Sequence, residues 1–186
     1  MLLRALRLIA GGAAGFLIWW YGTLYYDGAL SAAAEQLLGF DQRLCSAHLV
    51  ADRRSIEVTP HLCVAPKATI PADQLTYNFI LLAALFAMRF RSVQSFLAST
   101  FLVAVTHVLS LVVSVEATYA GNMGTWSERH YSALEANVWV AAEFWWRLVG
   151  MFAIVFVCWW MTQDRGGSRR LKPQSRTRPG GRSKSA

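Results

Sequence analysis

Charge is scarce in this chain. Asp, Glu, Lys and Arg make up 16% of its 186 residues, while 55% are hydrophobic and the mean hydropathy is +0.33. Soluble domains carry about a quarter charged residues, so this composition excludes an ordinary water-soluble fold. Cysteine is equally scarce: three residues cannot build a disulfide scaffold. The chain contains no P-loop, GxSxG, HExxH or CxxCH, which removes the familiar nucleotide, hydrolase, zincin and haem-attachment signatures. No repeat occurs, and the N-terminal apolar run lacks a small-residue cleavage site, so it reads as a retained span. The net charge of +7 suggests nucleic acid until it is located. Eight of the eighteen Lys and Arg fall in the last 22 residues, so the basicity belongs to a tail.

What the chain does contain is apolar runs. Four of them, at residues 6–26, 75–91, 96–115 and 136–161, predict an all-α integral membrane protein with four transmembrane helices. Residues 1–161 form the membrane domain, with an exported loop at 27–74, and residues 162–186 form a disordered basic tail. Arg4 and Arg7 lead the first span, and Trp19, Trp20, Tyr21, Tyr25 and Tyr26 close it. Arginines at one end and aromatics at the other place the N-terminus in the cytoplasm. Gly11 and Gly15 form a GxxxG, which either admits a close neighbour helix or reflects the abundance of Gly in spans.

The exported loop begins with an amphipathic helix at 29–38 and continues as a β-hairpin. Its strands, 44–51 and 55–64, flank Asp52-Arg53-Arg54, and Pro60 makes the second an edge strand. Folding about Arg54 sets Cys45 opposite Cys63, and an exported setting favours a disulfide between them. The competing reading is a metal site of Cys45, His48, His61 and Cys63. The odd spacing from Cys45 to His48 opposes it, because neighbouring strand positions point to opposite faces. No metal and no cofactor is therefore expected.

Asp73 or Thr76 is the expected cap of the second span, and Arg89 and Arg91 make a basic cytoplasmic turn into the third. The third span carries a polar stripe, with Ser99, Thr106, Ser110 and Ser114 on one broad side together with Thr100 and His107. Lipid offers no hydrogen bonds, so the stripe must turn toward other helices. A second outer segment, 116–137, ends in a capping-box pattern at Ser132 and Glu135. The last span holds Glu143 and Arg147, four residues apart. Each charge alone would cost about 2.5–3.5 kcal/mol at a helix centre, and pairing lowers that cost. His107, Ser110, Glu143 and Arg147 thus make the candidate intramembrane polar site, with the pair as the face the stripe meets. Cys158 lies deep in the last span as an inert thiol. In the tail, Arg165, Arg169, Arg170 and Lys172 are expected to bind anionic lipid rather than nucleic acid.

The order of parts resembles the exosortase H-associated membrane proteins of bacteria. The likeness covers roughly residues 4–161 and rests on a span ending in Trp and Tyr, an exported loop, the run LTYNFILLAALFAM, the basic turn RFRSVQS and a Trp-rich last span. It implies an inner-membrane accessory protein that docks to a protein-sorting enzyme, with both termini cytoplasmic, and no catalysis by this chain. Two alternatives stand beside it. One is a thiol transpeptidase or protease of the exosortase type, which needs a free Cys45 or Cys63. The other is a proton- or redox-handling subunit using His107 with Glu143 and Arg147.

Overall fold

The computed structural model describes residues 2–44, 47–52, 54–61, 65–89 and 92–164. The tail residues Arg165, Arg169, Arg170 and Lys172, together with Cys45, Cys63 and Arg91, lie outside them. Among the described residues, three helices are long and apolar enough to cross a membrane. The first, α1 (Leu2–Leu38), runs 37 residues without a break. The second, α4 (Val93–Gly121), has 29 residues. The third is a composite of α6 (Ala133–Trp145), a π-helical turn (Trp146–Gly150) and α7 (Met151–Asp164).

Between α1 and α4 the chain builds a three-stranded antiparallel sheet. β1 (His48–Asp52) pairs with β2 (Ser55–Thr59), and β2 pairs with β3 (Ala68–Pro71). The hairpin expected at 44–64 forms, with two differences. Asp52 pairs with Ser55, so the turn is two residues and Asp52 belongs to the strand. β2 is the central strand, because it ends at Thr59 before the missing N–H of Pro60 matters, and β3 takes its other edge.

Leu49, Ile56, Val58, Ala68 and Ile70 alternate onto one buried face of the sheet. That face packs on Leu30, Ala34 and Leu38 of α1 and on Leu111, Val115 and Tyr119 of α4. The sheet therefore caps the bundle at the C-terminal ends of two parallel helices. The predicted helix at 29–38 is the end of α1, whose buried Leu30, Ala34 and Leu38 keep it on the core beyond the apolar run. Likewise α4 runs six residues past the span expected at 96–115, since buried Glu116, Ala117, Tyr119 and Ala120 continue its inward face.

A short pair, α2 (Asp73–Thr76) and α3 (Asn78–Met88), returns from the sheet. Its 16 residues rise about 24 Å, less than the ~30 Å hydrocarbon core. The N-cap of α2 is Ala72, without a side-chain bond; Asp73 is the first helical residue and accepts from Gln74 N at 2.9 Å. Thr76 instead donates to the Ala72 carbonyl at 3.2 Å and accepts from Trp19 Nε1 at 2.9 Å.

The GxxxG of α1 is where α3 lies. A Cβ on Gly11 would sit 2.2 Å from Ala87 Cβ, and one on Gly15 would sit 2.7 Å from Ala83 Cβ. Real Cβ atoms do not approach so closely, so the two backbones touch only because both α1 positions lack side chains. A second core of Leu82, Leu85, Phe86, Val103, Val155 and Cys158 then joins α3, α4 and α7. After α4, a glycine turn at Gly124 (φ +57°) leads to α5 (Thr125–His130). The capping box forms as expected: Ser132 Oγ accepts from Glu135 N, and the Glu135 carboxylate accepts from Ser132 N.

Candidate functional site: a buried histidine between four helices

The polar stripe of α4 does turn inward. Ser99, Thr106, His107, Ser110 and Ser114 are all buried. At its middle, His107 Nδ1 lies 2.6 Å from the Tyr26 hydroxyl of α1, and Nε2 lies 2.5 Å from Asn78 Oδ1 of α3. Asn78 Nδ2 donates in turn to the Met151 carbonyl at 3.4 Å, where α7 begins. The Asn78 amide oxygen can only accept, so Nε2–H donates to it, while Nδ1 and the Tyr26 hydroxyl share the other bond. The Tyr26 ring stands at 86° to the imidazole, with centroids 5.8 Å apart. One side chain thus ties α4 to α1, α3 and α7.

Lower on the stripe, Ser99 Oγ donates to the Cys158 carbonyl at 3.4 Å. Thr106 folds back on the Val103 carbonyl at 2.7 Å. Among the described residues the hydroxyls of Ser110 and Ser114 have no hydrogen-bond partner. The same holds for both carboxylate oxygens of Asp27, fully buried on α1, and for the Ser31 hydroxyl one turn on.

The Glu143–Arg147 pair is made, but the stripe does not face it. Arg147 Nη2 donates to Glu143 Oε1 at 2.6 Å, and Nη1 donates to Gln74 Oε1 of α2 at 2.6 Å. The guanidinium is about one-third exposed, which is unlike a site sealed in the bundle. The expected four-residue site therefore divides into two groups, His107 with Tyr26 and Asn78, and Arg147 with Glu143 and Gln74. Ser110 bonds to neither.

Arg147 lies within the π-helical turn, which ends just before Met151. The Met151 N–H bonds to the Trp146 carbonyl, five residues back. The Trp146 indole folds over Gly150, where a Cβ would come within 2.4 Å of the ring. Such a turn inserts one extra residue and shifts the phase of the helix.

Beyond the bundle, on the sheet side, a second polar cluster joins three segments. Arg43 Nη2 donates to Glu135 at 2.9 Å, and the guanidinium carbon Cζ lies 4.7 Å above the Tyr131 ring. The Tyr131 hydroxyl donates to Glu116 Oε2 at 2.8 Å. Burial, reinforced by the Glu116 carboxylate, pushes the Tyr131 phenol far above its usual range, so it remains a donor. On the hairpin, His48 Nδ1 lies 3.1 Å from Glu35, and the His48 and His61 rings are 5.7 Å apart. Among the described residues no group of three or more His, Cys, Asp and Glu converges as a metal site. The Cys45–Cys63 pairing lies outside the described residues.

In the sequence Tyr26 reads only as one of the aromatics that close the first span, and nothing there marks Asn78 or Gln74 as its companions in a site. An Asn inside the run LTYNFILLAALFAM was the available signal, because an amide in an apolar helix needs a partner from another helix.

The fold and these sites define a mostly helical protein with helices fit to cross a membrane and a small sheet at one end. Comparison with family models, with curated proteins and with solved structures finds no match.

Proposed function

We propose that this chain is a non-catalytic, four-span accessory protein of the bacterial inner membrane, docking to a membrane-bound protein-sorting enzyme of the exosortase type. The observation that carries the non-catalytic reading is the double engagement of His107. A haem ligand needs a ring nitrogen open to the iron, and both nitrogens here hold neighbouring helices, Nδ1 against Tyr26 and Nε2 against the Asn78 amide oxygen. A fixed brace of this kind suits a scaffold.

Four crossings are favoured by the way α3 is held. Packed against Gly11 and Gly15, the pair α2–α3 runs antiparallel to α1 along its apolar length. Its end brings Arg89 beside Arg4 and Arg7. Arginines gathered at one end and the sheet at the other agree with the positive-inside rule, and Arg89 can snorkel to make up a short span. On this reading the sheet is exported, and both termini and the basic tail are cytoplasmic, the tail resting on anionic lipid.

The test is copurification at native expression in a mild detergent. A sorting enzyme should accompany the wild-type chain in stoichiometric amount. Recovery of the chain alone would contradict the docking role.

A further inference from the structure

On the sheet side of the bundle two carboxyl groups meet. Asp41, in the loop after α1, lies within hydrogen-bonding distance of Glu116, near the end of α4. Glu116 is buried, and its Oε2 accepts from the Tyr131 hydroxyl at 2.8 Å. Asp41 is held in turn, because its Oδ1 accepts from the Arg43 backbone N–H at 2.8 Å. Ionised carboxylates can only accept, so a bond between these two needs a proton on one of them. We propose that Asp41 and Glu116 share one proton, and that this proton latches the loop after α1 onto α4 and the start of α6, releasing it as the surroundings turn alkaline.

Three segments converge to build the latch. The Gly39 and Asp41 N–H groups bond back to the Glu35 and Leu38 carbonyls, so the loop leaves α1 in a tight turn that carries Asp41 to α4. Tyr131 reaches Glu116 from the link between α5 and α6, directly before the Ser132 cap. Arg43 then stacks on the Tyr131 ring and bonds to Glu135, tying the same loop to α6. The charged or titratable groups facing Glu116 are thus Asp41 and Arg43 from the loop and Tyr131 from the link, with Glu135 behind Arg43. Loss of the proton would put two negative charges in contact where burial limits screening by water.

The sign of the pH response follows. Glu116 lies one residue beyond the span expected at 96–115. Burial, and next the bond with Asp41, push its carboxyl up from the usual 4.5 to about 7. A carboxyl raised on folding gives stability that is complete below its usual value and is lost as the pH rises through the raised one. Burial holds the Tyr131 phenol far above this range, and the bond to Glu135 raises the Arg43 guanidinium, so neither changes charge with it. On the proposed topology the cluster is exported and takes its proton from outside the cell. The latch itself needs only the fold, whether or not an enzyme docks.

The full chain in detergent, melted from about pH 5 to pH 8.5 beside Glu116→Gln and Asp41→Asn, tests it. In Glu116→Gln the amide donates to Asp41 and still accepts from Tyr131, copying the protonated acid at every pH. Asp41→Asn does the same from the other partner, which guards against misfolding of either variant. Wild type should lose melting temperature across this range relative to both variants, while the histidines titrate alike in all three. Trypsin cleavage after Arg43 reads the loop directly. Above pH 7 the wild-type rate should gain up to about tenfold per pH unit over that of Glu116→Gln, and near pH 6 the two should agree. Melting profiles of the same shape in all three proteins would overturn the shared proton. Equal cleavage after Arg43 in wild type and Glu116→Gln at pH 8 would overturn the latch.

Discussion

The Tyr26 hydroxyl lies 2.6 Å from His107 Nδ1, across 81 residues of sequence. This bond, with the one from Nε2 to Asn78, makes His107 a brace between helices. His107→Ala would leave the buried Asn78 amide oxygen and the half-buried Tyr26 hydroxyl without the imidazole they meet. Removing one member of a buried polar pair costs about 1–3 kcal/mol. A fall in melting temperature in detergent should follow, and Tyr26→Phe with His107→Ala should be less than additive. Full additivity would mean the two side chains do not act together.

Glycine at 11 and 15 has a sharp test. Gly11→Leu forces a side chain into Ala87 and should separate α1 from α3, seen as new protease sensitivity in the segment 73–92. Gly22→Leu is the control, because no atom lies within 4 Å of a Cβ there. If both variants behave alike, close packing at Gly11 is not what holds α3.

Asp27 runs against the usual rule for buried charge. Its carboxylate is fully buried with no hydrogen-bond partner among the described residues, a costly arrangement. Asp27→Asn should therefore keep or raise the melting temperature, in contrast to most buried polar substitutions. A drop of several degrees would show that the carboxylate makes a stabilising contact.

Sequence patterns made part of this legible. The apolar runs, the hairpin, the capping box and the Glu143–Arg147 pair follow from spacing within a single element, where period and offset carry the information. The partners of His107 do not. They come from helices 81 and 29 residues away, and only the packing of α1, α3 and α4 brings them together. β3 was missed because four residues ending in Pro71 carry too little alternation to read as a strand. Nothing in the run WWRLVG distinguishes a π-helical turn from an α-helix except Gly150, which only the position of the Trp146 indole explains.

That turn predicts a compensated pair of changes. Gly150→Ala should clash with Trp146 and destabilise the last helix by about 1–3 kcal/mol, the range for overpacking. Adding Trp146→Ala removes the ring and should recover part of the loss. If the double variant is as unstable as the sum of the singles, the ring is not the obstacle.

The proposed four-span topology with an exported sheet rests most heavily on the short α2–α3 pair crossing the membrane. Single cysteines at Glu57, on β2, and Gln94, at the start of α4, test it in a chain with Cys45, Cys63 and Cys158 replaced by Ser. A membrane-impermeant thiol reagent should label position 57 in intact cells and position 94 only after permeabilisation. Labelling of both positions in intact cells, or of neither, would place the sheet and the α3–α4 turn on one side and contradict the crossing.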